Sequence, residues 1–163
     1  MSPAQSIIET LQLTPHAEGG YFRRIYESEK DFPIGPDRAQ RKLLTSIYYL
    51  LTSDSPVGHL HENRSDIVHF FLGGGSLNYT LVSPQGEVSQ TTLGTDIASG
   101  HELHLVVPSG WWKASELASG EYGLVSEAVS PGFEYEDMRF VNRQDLAKRL
   151  SSDAGTIERF CRE

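Results

Sequence analysis

The sequence predicts an all-β fold, a double-stranded β-helix or jelly roll, with a short N-terminal helix and a C-terminal helical tail. Between residues 21 and 129, short runs of β-branched, aromatic and leucine residues alternate with turn formers and show no helical period. The turns include 73–75, 84–86 and 108–110, which are rich in Gly and Pro. About nine such strands leave sheet edges that must be covered, and a jelly roll or barrel covers them.

Each element is predicted from its own residues. Ser2 and Pro3 are typical of an N-cap and a first helical residue, and apolar residues then recur on one face, which predicts a helix over residues 3–12. Residues 30–40 predict a surface loop that is long enough to be a lid over a barrel mouth. Residues 143–160 predict a helical tail that packs outside the barrel. The predicted strands are 21–27, 43–51, 59–61, 67–72, 76–83, 87–93, 103–108, 112–117 and 122–129.

Composition limits the classes of function. The chain has 163 residues, which predicts a single domain over residues 1–163, and its net charge of -8 disfavours binding to nucleic acid or to an anionic membrane. No apolar run approaches the roughly twenty residues of a membrane span, and residues 1–10 lack the basic start and long apolar stretch that are typical of a secretory signal, so we expect none. The one cysteine, Cys161, excludes an internal disulfide. We therefore expect a cytoplasmic protein whose site uses imidazole, carboxylate or hydroxyl groups.

Two histidines form the first candidate site. His59 and His61 lie in a predicted strand, and alternation along a strand places residues i and i+2 on one face. Asp66 and Gly73 follow at spacings that resemble the first motif of the cupin superfamily, with Asp in place of its usual Glu. Imidazoles and a carboxylate suit Fe(II), Mn(II), Ni(II) or Zn(II), so a divalent first-row metal is the predicted cofactor.

The second cupin motif is incomplete. Pro108 and Gly110 match it, but Lys113 stands where the last histidine ligand is expected. We expect an outward, solvated lysine there, because an inward ammonium does not ligate a metal. His104, on the preceding strand, is an alternative ligand if the hairpin register turns it inward.

A longer resemblance is more specific. The chain resembles the DUF985 or cupin-5 family of RmlC-like cupins, and this resemblance implies a homodimer with a pocket inside each barrel. When the chain is aligned with the family without gaps, His69 faces the barrel interior and Asp66 does not. Asp66, His69 and His104 are therefore alternative third metal ligands beside His59 and His61. The blocks that carry the resemblance are residues 16–24, 46–51, 93–100, 107–110 and 129–137.

Further candidates line the predicted pocket. Glu18 is a candidate catalytic carboxylate in a glycine turn that ends at Tyr21, with Arg23 as its anion-binding partner. Tyr48 and Tyr49 alternate, so one of the two faces the pocket as a catalytic or ligand-binding group. Trp112 is a candidate for stacking on a flat ring, and for all of these residues core packing is the competing role.

Three functions remain open. The first is a metal-dependent oxygenase or isomerase of a small polar molecule. The second is a metal-free epimerase or isomerase of sugar-type substrates, like those of the RmlC group, with His61 and Tyr48 or Tyr49 moving protons. The third is a module that binds a small ligand without turnover.

Overall fold

Two antiparallel sheets face each other and enclose an apolar core. The computed structural model describes residues 1–35, 39–150 and 154–162. One sheet has the strand order β1-β2-β5-β12-β7-β10, and the other has the order β13-β6-β11-β8-β9. The strands are β1 (Thr14–Pro15), β2 (Tyr21–Glu27), β3 (Asp31–Ile34), β4 (Ala39–Lys42), β5 (Thr45–Thr52), β6 (Val57–Asn63), β7 (Asp66–Gly74), β8 (Leu77–Val82), β9 (Val88–Leu93), β10 (His104–Val107), β11 (Trp112–Leu117), β12 (Tyr122–Ser130) and β13 (Met138–Phe140).

Strand alternation determines which side chains enter the barrel. Along β12, every second residue from Gly123 to Val129 is buried, and the residues between them are partly exposed. Val125 lies opposite Tyr49 of β5 and Phe71 of β7, and all three belong to one apolar cluster between the sheets. The all-β jelly-roll prediction is therefore confirmed.

The helices lie outside the sheets. They are α1 (Pro3–Leu11), α2 (Arg143–Arg149) and α3 (Ala154–Ile157), which agree with the predicted short N-terminal helix and helical tail. Ser2 caps α1 through its side chain, as its sequence predicts. The tail packs on the outer face of the second sheet, where Leu146 and Ile157 form a second apolar cluster with Leu60 and Trp112.

Residues 31–34 and 39–42 form two paired strands, whereas the sequence predicts a loop over residues 30–40. β3 and β4 pair antiparallel, with Pro33 opposite Gln40, and a two-stranded sheet tolerates proline because each strand is an edge. Arg41 of β4 holds this strand pair against the barrel: its Nε donates to Asp137 Oδ2 at 2.6 Å, and its Nη2 donates to Asp137 Oδ1 at 3.0 Å. Residues 36–38 of the predicted loop lie outside the described residues.

None of the helices in the described ranges has both the length and the apolar character that crossing a membrane requires.

Candidate functional site

A β-bulge in β6 decides which side chains reach the barrel interior. Lys113 of β11 pairs with His61, whereas Ser115, two residues later, pairs with Gly58. Residues 59 and 60 together therefore oppose one residue of β11, and both face outward. The strand alternates normally on each side of the bulge, but its two halves are out of phase.

The bulge separates the two histidines that the sequence places together. His61 is buried inside the barrel, whereas His59 faces the helical tail, with Nδ1 3.3 Å from the carbonyl oxygen of Phe160. The predicted pairing of the two imidazoles on one face is wrong because it assumes an unbroken alternation. His59 still supports the site through its backbone: its N–H donates to Glu18 O at 2.7 Å, and its carbonyl accepts from His61 Nδ1, also at 2.7 Å.

Glu18 enters the barrel from a glycine turn, as the sequence predicts. Gly19 and Gly20 have φ values of 104° and 68°, in the left-handed region that favours glycine. A Cβ on Gly19 would collide with the carbonyl oxygen of Val57, so no other residue lets the chain pass this close to β6. The turn places the Glu18 carboxylate 3.1 Å from His61 Nε2, with both side chains buried.

Glu18 Oε1 and His61 Nε2 are placed to share one proton in a hydrogen bond. His61 Nδ1 donates to the backbone, so its Nε2 carries a lone pair when the ring is neutral, and this atom has no hydrogen-bond partner. Burial, followed by the charge of Lys113, lowers the pKa of His61 to about 3. Burial raises the pKa of Glu18. A protonated Glu18 carboxyl can therefore donate a hydrogen bond to the lone pair of His61 Nε2.

A second ionisable cluster lies beside the first, because Lys113 of β11 pairs with His61 of β6. His69 Nε2 is 3.1 Å from Glu127 Oε1 and 3.1 Å from Lys113 Nζ, and Lys113 Nζ is 3.5 Å from the same carboxylate oxygen. Burial raises the pKa of Glu127, but Lys113 and His69 outweigh it and hold that pKa well below its usual range. Burial also lowers the pKa of His69. Glu127 is thus an ionised carboxylate paired with the buried lysine.

A cavity of about 400 Å³ connects these clusters to solvent. Glu18 and Glu127 line it, and the rings of His16, Phe22 and Phe133 lie along it. His16 meets Phe22 edge to face, with ring centroids 4.4 Å apart, and Phe133 meets Tyr135 in the same way at 5.1 Å. The cavity thus has carboxyl groups and aromatic rings on its walls. Its lining residues are Gln12, Thr14, His16, Glu18, Phe22, Arg23, Arg24, Ile47, Asn63, Ile67, Glu127, Val129, Phe133, Glu134 and Tyr135.

His16 is oriented by the same turn. The backbone N–H of Glu18 donates to His16 Nδ1 at 3.0 Å, so the neutral ring carries its proton on Nε2. Burial lowers the pKa of His16, which favours this neutral form. His16 therefore supplies a neutral hydrogen-bond donor to the cavity that Glu18 lines.

The structure separates the alternative third members of the predicted metal set. His69 and Ile67 are buried inside the barrel, as the gapless alignment with the family predicts. Asp66 is exposed, and its Oδ1 accepts from the backbone N–H of Ser109 at 2.8 Å, so the generic cupin spacing misplaces it. His104 is exposed opposite Phe70, on the outer face of β10. The outward positions of Asp66 and His104 follow from strand alternation in this register.

The predicted tyrosines lie on opposite faces of the first sheet. Tyr49 is the inward tyrosine, and its hydroxyl donates to Gly19 O at 3.0 Å. Tyr48, on the opposite face of β5, pairs with Arg23, so the predicted catalytic use of Tyr48 has no support in the geometry. Tyr21 lies on the same outer face as Tyr48 because it is two residues from Arg23 on β2.

Two further binding predictions are corrected. Trp112 packs outside the barrel, where its Nε1 donates to Glu62 at 2.8 Å and the Arg149 guanidinium lies 3.7 Å above its ring. Arg23 lines the cavity, but its Nη1 donates to Leu11 O at 2.9 Å and to the Gln12 side chain, so the partnership predicted between Arg23 and Glu18 is not formed.

The residues present do not fit the predicted metal cofactor. Of the five predicted ligands, His61 and His69 face inward, and Lys113 Nζ lies 3.1 Å from the Nε2 atom that His69 would offer. An ammonium group in that position repels a second cation. Across residues 1–35, 39–150 and 154–162, no group of three or more His, Cys, Asp or Glu side chains could hold a metal ion.

The comparison with known families agrees with this architecture. The family model described as "Cupin superfamily (DUF985)" matches residues 5–141. The chain belongs to the DUF985 family of cupins. This DUF985 cupin is 38% identical to the uncharacterized protein YML079W of Saccharomyces cerevisiae, in a match that covers 91% of this chain and 80% of the yeast protein.

Solved structures show the same fold. A hypothetical protein from Leishmania major matches the DUF985 cupin with a TM-score of 0.89 and 28% identity, over 99% of this chain and 100% of that one. Protein SO0799 from Shewanella oneidensis matches with a TM-score of 0.87 and 33% identity, over 99% of each chain. Oxalate decarboxylase from Bacillus subtilis matches at 0.54 and 15% identity, over 90% of this chain and 36% of the enzyme, which shows a shared fold alone.

Three inward-facing polar residues of this DUF985 cupin were not predicted from the sequence. Lys113 is buried and faces inward, contrary to the expected solvated lysine. Glu127 was not singled out, although it is a charged residue on the otherwise small and apolar face of β12, and that pattern was visible in the sequence. Asn63 was also missed, although it follows His61 by two positions and so shares its face.

Proposed function

We propose that this cupin is a metal-free isomerase or epimerase that moves a proton at the carbon next to a carbonyl group of a small molecule. The observation that supports this proposal is the Glu18–His61 contact of 3.1 Å beside the cavity, where one proton fits between two buried groups. Burial raises the pKa of Glu18 above that of an ordinary carboxyl, and a raised pKa favours a carboxyl that both takes and returns a proton in general acid–base catalysis.

The proton transfer balances without any co-reactant. The fraction of Glu18 that is ionised takes the proton from carbon, the C–H electron pair forms the C=C bond of an enolate, and the carbonyl electron pair moves to oxygen. His16 Nε2–H stabilises that developing negative charge as a donor. Glu18, with its proton held toward His61 Nε2, then returns the proton on the same face to the neighbouring carbon, while the substrate's hydroxyl proton passes to the former carbonyl oxygen, which completes an isomerisation. In an epimerisation, water on the opposite face supplies the proton to the original carbon, and Glu18 releases its proton to solvent.

Glu127 has a different part in this proposal. Its carboxylate stays ionised because Lys113 and His69 hold its pKa low, so it accepts hydrogen bonds from substrate and does not compete for the proton. Two carboxyl groups on the wall of one cavity whose pKa values are shifted in opposite directions are typical of a division of acid–base roles.

Solvent deuterium exchange tests the proposal. The purified protein, treated with a chelator, is incubated in D₂O with hydroxyketones and keto-sugars, and deuterium at the carbon next to the carbonyl is measured by NMR. Glu18→Gln is expected to slow exchange by about 100-fold or more, because the amide cannot take the proton. Glu29→Gln, a matched change at an exposed position, should leave the rate unchanged.

Two results would overturn the proposal. Exchange that disappears on chelation and returns with added Fe, Mn, Ni or Zn would indicate a metal enzyme. Tight binding of these compounds with no exchange in any of them would indicate a ligand-binding module.

A further inference from the structure

Four neighbouring strands give the cavity an apolar wall. Its side chains come from β2, β5, β12 and β7, which are adjacent in the first sheet: Phe22, Ile47, Val129 and Ile67. Val129 lies opposite Ile67, and Ile47 lies opposite Glu127, whose side chain is buried inside the barrel. Residues that lie directly opposite each other on paired strands point to the same side of a sheet. The apolar wall and the Glu127 carboxylate therefore share the inner face of this sheet.

Part of the apolar wall is exposed inside the barrel. Phe22 and Ile47 face inward, because Phe22 lies opposite the inward Tyr49 and Ile47 is two residues from Tyr49 on β5. Both are only partly buried, and an inward side chain that lines the cavity has its exposed part in the cavity. Phe133, which lines the cavity from the segment after β12, is also partly buried. Apolar surface that remains wet in a cavity favours an apolar ligand, because binding removes both surfaces from water.

Two arginines lie at the rim of the cavity and leave the apolar wall without polar groups. Arg23 leaves β2 on its outer face, where it is exposed and donates to Leu11 O at 2.9 Å, so its charge is solvated. Arg24 donates to Glu27 at 2.9 Å and to Phe133 O at 2.7 Å. The side chains of the apolar wall are hydrocarbon and offer no hydrogen bond. A ligand hydroxyl placed against them would lose its water without gaining a partner, which costs free energy.

We propose that the substrate is a ketone whose body, beyond the reacting carbons, is an apolar ring or branched alkyl group that lies on the apolar wall. This inference rests on the proposed function, because it places the carbonyl end at Glu18 and the body on the wall. A polyhydroxylated sugar of the same size is then a poor substrate, because its hydroxyl groups are desolvated against hydrocarbon. The cavity volume of about 400 Å³ limits the body to a small group.

The experiment compares two ketones that differ in one ring atom. They are cyclohexyl methyl ketone and tetrahydropyranyl methyl ketone, in which an ether oxygen replaces the ring CH₂ group farthest from the carbonyl. Deuterium exchange next to the carbonyl, corrected for the rate in buffer alone, gives kcat/KM for each compound. The wild-type protein should prefer the cyclohexyl compound by about 10-fold or more, because the ether oxygen loses its water on the apolar wall.

Variants of the apolar wall locate the preference. Ile47→Thr and Val129→Thr each add a hydroxyl group to the wall and should lower the preference to about 2-fold or less. Ile47→Leu, which keeps the wall apolar, should retain it. Ile97→Thr makes the same change as Ile47→Thr at a surface position that is 61% exposed, and it is the matched control.

Failure of the inference and failure of the proposed function give different results, and thermal unfolding confirms that each variant is folded. Equal kcat/KM for the two ketones in the wild-type protein, or a preference that Ile47→Thr and Val129→Thr leave unchanged, overturns the inference while the proposed function stands. If the wild-type protein exchanges neither ketone, the proposed function fails for this class of probe. Calorimetric binding of the same pair then tests the apolar wall alone. Tighter binding of the cyclohexyl ketone that is lost in Ile47→Thr supports the inference, whereas equal binding, or no binding of either ketone, overturns it.

Discussion

At the scale of single residues, the interior of this cupin is organised by two carboxyl groups with opposite surroundings. Glu18 faces a neutral imidazole whose lone pair has no other partner, so burial favours the protonated carboxyl. Glu127 faces an ammonium group and a second imidazole, so its charge is favoured despite burial. The same residue type thus has two chemical roles within one barrel.

The buried neutral state of His61 predicts how stability depends on pH. The folded protein keeps this ring neutral down to a pKa of about 3, whereas the unfolded chain takes up a proton near 6.5. The unfolded state therefore binds more protons in this window, and acid favours unfolding. The free energy of unfolding of the wild-type protein should fall relative to that of His61→Gln as the pH drops from about 6.5 toward 3. Urea unfolding across this range measures the difference, and a constant difference would contradict the prediction.

The pairing of Lys113 with Glu127 predicts a strongly non-additive pair of substitutions. Lys113→Met leaves a buried carboxylate without its cation and should lower the free energy of unfolding by about 3–5 kcal/mol. The double variant Lys113→Met Glu127→Gln should recover much of this loss, because it removes both charges. Chemical unfolding of the single and double variants gives the coupling energy. Additive losses would show that the two side chains do not stabilise each other.

At the scale of elements, the helical tail is part of the folded unit and covers the outer face of the second sheet. Ile157 of α3 is 2% exposed in the cluster that contains Leu60 and Trp112, whereas Ile97, on a surface turn, is 61% exposed. Ile157→Ala should therefore cost about 2–4 kcal/mol of unfolding free energy. Ile97→Ala should change it by less than about 0.5 kcal/mol. Similar losses in guanidinium unfolding of the two variants would mean that the tail is not packed as described.

The elements also show what the sequence could and could not predict. The strands, the helix at Pro3–Leu11 and the tail follow from periodicity and caps that each segment carries itself. The bulge at residues 59 and 60 depends on how β6 pairs with β11, which is a relation between distant segments. His59 was therefore misplaced. The glycine turn that carries Glu18 was predictable because its two glycines signal a tight turn locally, whereas the catalytic use of Glu18 stays a prediction.

At the scale of the whole molecule, the homodimer that the family resemblance implies remains a prediction. The outer face of the first sheet exposes apolar side chains near its β10 edge, with Phe70 45% and Val106 47% exposed, which is typical of an interaction surface. If a second copy covers this face, the double variant Phe70→Ser Val106→Ser should be a monomer in sedimentation equilibrium at concentrations where the wild-type protein is a dimer. Ile97→Ser is the control. A wild-type monomer, or an unchanged dimer in the double variant, would contradict the prediction.

The bulge in β6 also has a consequence for how chains of this family tolerate insertion and deletion. Gly58 faces inward before it, and His61 and Asn63 face inward after it, while two residues between them face outward. Loss of Leu60 would leave one outward residue in place of two, and regular pleating would then keep all three inward residues where they are. A related chain that is one residue shorter here would line its barrel with the same groups, although the spacing of these residues in its sequence would differ.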